Sequence, residues 1–161
     1  MKNLLFMVSI ILVSFLAVGF DTINPKNDKA SDEIAENTIT INGNTYNLII
    51  DPCVDQDSDE VKMLTFRGDN SDMGYSLTVV IASYDNVVNS GKYVYSNGEN
   101  KVNFSVVALV TEEATYVANE GFVTYTKTNN AGNVVCKDLK FVDSFETLPS
   151  ILVSFNITCV L

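Results

Sequence analysis

From Thr38 to the C-terminus, apolar and polar residues alternate with a period of two, in short runs separated by turn residues. In "ILVSFNITCV" (151–160), Ile151, Val153, Phe155, Ile157 and Cys159 share one face of an extended chain, and Leu152, Ser154, Asn156 and Thr158 share the other. That is a strand with one face in a core and one toward water. "TITINGNTYNLII" reads as a hairpin: Ile39 and Ile41 alternate with Thr38 and Thr40, and Tyr46 and Leu48 alternate on the return. Asn42-Gly43 between them suits the two left-handed positions of a type I′ turn. Further runs at 61–66, 75–83, 91–96, 101–110, 121–127 and 134–142 are rich in Val, Ile, Thr, Tyr and Phe, which fit a pleated surface. "RGDNSDMG", "DNVVNSG", "SNGEN", "ANEG", "TNNAGN" and "TLPS" punctuate them as turns. "VNFSVVALV" becomes apolar on both faces toward its end, as a central strand would. No long segment has a helical period, although Glu112 to Tyr116 would accept one helical turn. The pattern predicts an all-β fold, an antiparallel β-sandwich or barrel of about eight strands.

The first residues, "MKNLLFMVSIILVSFLAVGF", break the pattern. Lys2 precedes an apolar run from Leu4 to Val18, and Ala17-Val18-Gly19 supplies small residues for a signal peptidase. The run sits at the short end of the roughly 17–25 residues of a membrane helix, so a cleaved signal is favoured over a retained anchor. Nothing after it is long and apolar enough to span a bilayer as a helix. Three segments follow: a signal peptide (1–19), a polar lead (20–37) and a single β domain (38–161). The expected location is exported: periplasm, cell surface or extracellular space.

The net charge of −10 argues against nucleic acid and anionic membrane surfaces as partners, since both would repel the chain. Of the three cysteines, Cys136 and Cys159 fall on consecutive strands that would turn near Glu146 to Pro149. An oxidising compartment favours one disulfide, and Cys136–Cys159 is the expected pair, with Cys53 free. Strand parity fits that pair only if a bulge brings Cys136 to the face of Leu139 and Phe141.

Histidine is absent, which removes the commonest general base and zinc ligand. No nucleophile elbow, Cys-x-x-Cys pair or phosphate-binding loop is present, so a non-catalytic role is expected. The candidate chemistry is "DPCVDQDSDE" (51–60). Asp55, Asp57 and Asp59 have the spacing that opens a calcium loop, and Glu60, Asp69 and Asp72 add ligands. Glu60 stands where an EF-hand requires glycine, and Phe66 where it requires glutamate, so an EF-hand is excluded. A looser calcium site remains; a solvated acidic loop guarding a sheet edge explains the same residues. No other cofactor is expected. Arg67-Gly68-Asp69 resembles the integrin-binding tripeptide, but turn chemistry also accounts for it. Tyr93, Tyr95, Tyr116 and Tyr125 suit a ligand groove or simply a strand. The sequons at Asn103 and Asn156 fall inside predicted strands and are read as chance.

The signal, the polar lead, "ITINGNTYNL", "SGKYVYS" and "EGFVTYTK" together resemble the small exported β-domains of Bacteroidota, many of them lipoproteins. The resemblance implies an envelope or extracellular location and no particular activity. Phe20 occupies the place of the lipid-bearing cysteine, so lipid anchoring is not implied. The expected role is binding or structural, with a protein or small ligand as partner. The alternatives are a barrel holding a small apolar ligand and a calcium-dependent interaction module.

Overall fold

A computed structural model describes residues 36–57, 60–85, 87–95 and 103–161. The predicted signal peptide and all of the lead but its last two residues lie outside the described residues. The described chain is all β, without a helix. Its strands are β1 (Thr38–Ile41), β2 (Asn44–Asn47), β3 (Ile49–Ile50), β4 (Val54–Asp57), β5 (Lys62–Asn70) and β6 (Tyr75–Ser83). They continue as β7 (Gly91–Tyr95), β8 (Asn103–Val110), β9 (Thr115–Ala118), β10 (Phe122–Lys127), β11 (Ala131–Asp143) and β12 (Ile151–Val160). The expected all-β sandwich or barrel forms, but from twelve strands rather than about eight. The additional strands are short ones: β3, β4 and β9.

All twelve strands join one sheet in the order β2-β1-β12-β11-β10-β7-β8-β6-β5-β3, with β4 on β5 and β9 on both β11 and β8. The bonds β11·β10, β10·β7, β7·β8, β8·β9 and β9·β11 therefore form a closed ring of five strands. A ring with an odd number of strands cannot alternate direction all the way round. One pair must be parallel, and it is β7·β8, through Val94↔Phe104 and Tyr95↔Ser105. This corrects the purely antiparallel expectation. From the ring, one arm runs through β12, β1 and β2, and the other through β6, β5 and β3. The arms face each other. Phe66 on β5 meets Tyr125 on β10 edge-on at 5.9 Å, and Gly132 on β11 lies beneath both rings.

The alternation read from the sequence sets the inner face. Val153, Phe155, Ile157 and Cys159 of β12 are buried, as are Leu77, Val79 and Ile81 of β6 and Val107 and Leu109 of β8. β8 lies between β6 and the β7/β9 pair, the central place expected of it. Aromatic rings fill the middle: Phe66, Tyr93, Tyr125, Phe141 and Phe155 are fully or almost fully buried. The Tyr93 hydroxyl donates to the Asn89 carbonyl at 2.7 Å, and the buried Ser105 hydroxyl donates to the Tyr93 carbonyl at 3.0 Å, so burial leaves neither group unpaired. Truncating one such ring costs about 3–5 kcal/mol.

The first hairpin forms as read, with Asn42 (φ 48°) and Gly43 (φ 87°) both left-handed at its turn. Asn37, the last residue of the predicted lead, already belongs to the fold. Its carbonyl accepts from Leu48 N–H at 2.7 Å and its side chain from Thr158 N–H at 2.9 Å. Glu112 to Tyr116 is not helical: Thr111 closes a tight turn by accepting from Ala114 N–H at 3.1 Å, and β9 begins at Thr115.

The disulfide joins Cys53 to Cys159, with Cα atoms 5.4 Å apart, and Cys136 is a buried free thiol. The expected Cys136–Cys159 pair is excluded by register. The predicted bulge is present, between Cys136 and Leu139, and it does turn Cys136 inward with Leu139 and Phe141. But Cys136 sits opposite Phe155, while Cys159 sits opposite Gly132. The four-residue offset along β12 is roughly 13 Å. A disulfide spans Cα atoms up to about 7 Å apart. Cys53 reaches Cys159 from the opposite arm, where its N–H donates to the Val160 carbonyl at 3.0 Å.

Candidate functional site

The middle of the acidic stretch is a strand rather than a loop. Val54 to Asp57 form β4, an edge strand paired with β5 from Val54↔Thr65 to Asp57↔Lys62. The Asp-x-Asp spacing that suggested a cation loop is here the period of a strand. Asp55 and Asp57 both point at Lys62, whose Nζ lies 2.7 and 2.9 Å from their carboxylates. Those hydrogen bonds, the one to Asp55 first, raise the Lys62 pKa. Asp69 lies in β5, 3.2 Å from Arg67 Nε. Asp55 is opposite Leu64, so Asp69 lies roughly 16 Å farther along β5. Asp72 is exposed in the turn after β5, and Glu60 in the bend before it; Asp59 lies outside the described residues. The described members of the predicted ligand set are thus dispersed. No group of three or more His, Cys, Asp or Glu among the described residues is arranged to hold a metal ion.

Arg67-Gly68-Asp69 is likewise strand rather than turn. It pairs with β6 on one side, through Arg67↔Thr78 to Asp69↔Ser76, and Gly68 and Asp69 pair with β3 on the other. The Arg67 guanidinium is mostly covered and held by Asp69 and by Asp51 at 3.8 Å. Of the tyrosines considered for a groove, Tyr93, Tyr116 and Tyr125 are buried in the core.

A cleft of about 340 Å³ opens where the ladder along one edge of β11 is interrupted. β10 pairs with Gly132 to Val135 of β11, and β9 with Phe141 to Asp143. Between them, β11 bulges at Lys137 and Asp138, which together face Ser154, and the link 119–121 swings past. Asp138 takes a left-handed φ of 50°, and Ser154 holds it there: its hydroxyl accepts from Asp138 N–H at 2.8 Å and donates to the carboxylate at 3.3 Å. Gly121 (φ 102°) is fixed by Tyr95 N–H donating to its carbonyl at 3.0 Å, and a Cβ there would strike the Leu139 side chain. The β11 bulge and the Gly121 turn thus lie beside each other, and Asn119 N–H donates across to the Lys140 carbonyl at 3.4 Å.

Val135 and Leu139 give the cleft apolar walls, and Phe122, 46 % exposed, stands at its rim. Lys92 Nζ lies 4.3 Å above the Phe122 ring, a cation–π contact. Lys137 and Lys140 line the cleft, as do Glu120 and Asp138. Cys136 lies inside; burial pushes its thiol up to about 12, so it stays protonated at neutral pH. A protonated thiol is a poor nucleophile. A second, smaller cleft of about 120 Å³ lies between Asp55, Lys62, Tyr125 and Leu161. The clue to the larger cleft in the sequence was the parity break between Cys136 and Leu139. The turn read at "ANEG" holds the matching irregularity, but nothing in it says that it would lie beside the β11 bulge.

The chain matches no family model, and no curated protein or solved structure matches it either.

Proposed function

We propose that the chain is an exported, non-catalytic binding module of the cell envelope or extracellular space, and that it binds its partner at the cleft beside the β11 bulge. The observation that carries this reading is the interrupted ladder: an open, partly apolar cleft lies beside the β11 bulge and the Gly121 turn, each with a left-handed residue. The aromatic packing of the interior favours a surface contact over a small apolar ligand enclosed in a barrel. The Cys53–Cys159 disulfide suits an oxidising compartment, in keeping with the leader. The partner is a protein segment or a small ligand rather than nucleic acid, given the net charge.

Amide shift mapping during a screen of chemically mixed fragments tests this. Saturable shifts are expected to gather at residues 119–124 and 135–140. Saturable binding elsewhere, with these residues unmoved, would overturn the reading.

A further inference from the structure

We infer that the smaller cleft, beside β4 and β10, is a second binding site, in which the Tyr125 hydroxyl holds the carbonyl oxygen of a small neutral molecule. The observation behind it is a polar group that the fold buries and does not use. Tyr125 is 1 % exposed, with its ring packed against Phe66 and Tyr93, yet its hydroxyl has no hydrogen-bond partner among the described residues. The buried hydroxyls of Tyr93 and Ser105 do have partners, the carbonyls of Asn89 and Tyr93. Among the described residues no side-chain nitrogen or oxygen is both sealed from solvent and unpaired. The Tyr125 hydroxyl is therefore not sealed, and the cleft of about 120 Å³ that Tyr125 lines is where it opens. Its hydrogen bond goes to whatever fills that cleft.

The rest of the lining narrows the occupant. Leu64, Val87, Val88 and Leu161 make apolar walls. Lys62 is already engaged, 2.7 and 2.9 Å from the Asp55 and Asp57 carboxylates. Those two carboxylates offset Lys62 and Lys127, so charge selects neither an anion nor a cation. Hydrogen bonding selects instead. Burial above all, then Tyr93 and the Asp55 carboxylate, push the Tyr125 hydroxyl up to about 12, so at neutral pH it keeps its proton and can donate it. Lys127, two residues on along the same face of β10, can only donate. The one acceptor in the lining, Asp55, is taken by Lys62. Two donors facing apolar walls suit a carbonyl oxygen on a short apolar body, an amide or a ketone. The volume is well below the roughly 300–1,000 Å³ of drug-sized sites, which limits that body to a few carbons.

The test is an amide-shift titration of the purified full-length chain with isobutyramide, isobutyrate and isobutylammonium, which share one branched body. Isobutyramide is expected to give saturable shifts at Leu64, Val88 and Lys127, with a dissociation constant on the order of millimolar. The two ions are expected to bind about tenfold more weakly, since each meets a like charge of the lining. In Tyr125→Phe the isobutyramide affinity is expected to fall about tenfold, the worth of one hydrogen bond. The melting temperature of that variant should not fall, because the fold gives the hydroxyl no partner, whereas Tyr93→Phe, which strands the Asn89 carbonyl, should melt lower. Unchanged affinity in Tyr125→Phe, or a melting temperature that falls as far as in Tyr93→Phe, would overturn the assignment. So would ions that bind as tightly as the amide, or no saturable shift at these residues, which would mean a cleft filled by water only. The residues read here are separate from 119–124 and 135–140, so this site and the larger cleft succeed or fail independently.

Discussion

Removing the Cys53–Cys159 cross-link should be the most damaging surface-neutral change that can be made to this fold. The bond closes a loop of 106 residues, nearly the whole described chain, and ties the β3–β4 link of one arm to the last strand of the other. Loop-closure entropy for that length gives about 4.7 kcal/mol, an upper figure because measured losses cluster near 2–4 kcal/mol. In the Cys53→Ser/Cys159→Ser variant a buried hydroxyl at position 159 adds about 1 kcal/mol to the cost. A loss of about 3–5 kcal/mol is therefore expected, or a fall in Tm of roughly 10–20 °C for a domain of this size. Urea titration followed by tyrosine fluorescence measures it, since the chain has seven tyrosines and no tryptophan. The m value should rise, because an uncross-linked denatured chain exposes more surface. Cys136→Ser is the control: it breaks no cross-link, and in the native protein the buried Cys136 thiol should resist alkylation. A loss under about 1 kcal/mol in the double variant, or a larger loss in Cys136→Ser, would refute the pairing or its entropic origin.

Gly121→Ala should cost on the order of 1–3 kcal/mol in the same urea titration, because φ is 102° and Leu139 occupies the space of a Cβ; Gly91→Ala, with nothing within 4 Å, should be close to neutral. Asp143 is buried and accepts from Phe145 and Leu148 N–H, and from both the N–H and the hydroxyl of Thr147, led by the hydroxyl, which lowers its pKa below 3.8. A depressed folded pKa gives stability that is present above the unfolded value and lost as pH falls through the folded one. Asp143→Asn should therefore melt lower than wild type at pH 7, and the gap should close below about pH 4; a gap independent of pH would contradict this. Millimolar calcium, against chelator, should leave the melting temperature unchanged, since Asp55 and Asp57 are held by Lys62 and the other predicted ligands are dispersed; a rise of several degrees would restore the cation site.

The parts of the fold that were legible are those where burial alone sets the pattern. β6 and β12 appear with the bounds read from alternation, and the Asn42-Gly43 hairpin turn follows from a pair well able to take two left-handed positions. Partnership was not legible. β4 is exposed along its whole length, so its residues carry no apolar signal, and only pairing with β5 makes it a strand. The RGD tripeptide looks like a turn in isolation, yet strands on both sides hold it extended. The parallel β7·β8 pair is a property of the five-strand ring and is visible in no segment alone. The cysteine pairing failed for the same reason: the bulge at Cys136 was foreseeable, but the four-residue offset from Cys159 needs the register. The cleft, too, is built from two irregularities on different elements, the β11 bulge and the Gly121 turn; each left a mark in the sequence, but their placement side by side needs the pairing.

Export and the Cys53–Cys159 cross-link are tested together by expressing the full chain in an exporting bacterial host and mapping the recovered protein by N-terminal sequencing and non-reduced peptide mass spectrometry. The expected product begins at Phe20, is recovered outside the cytosol, and has Cys53 cross-linked to Cys159 and Cys136 free. A chain that stays in the cytosol with Met1 in place and three alkylatable thiols, or one in which Cys136 is cross-linked, would contradict it.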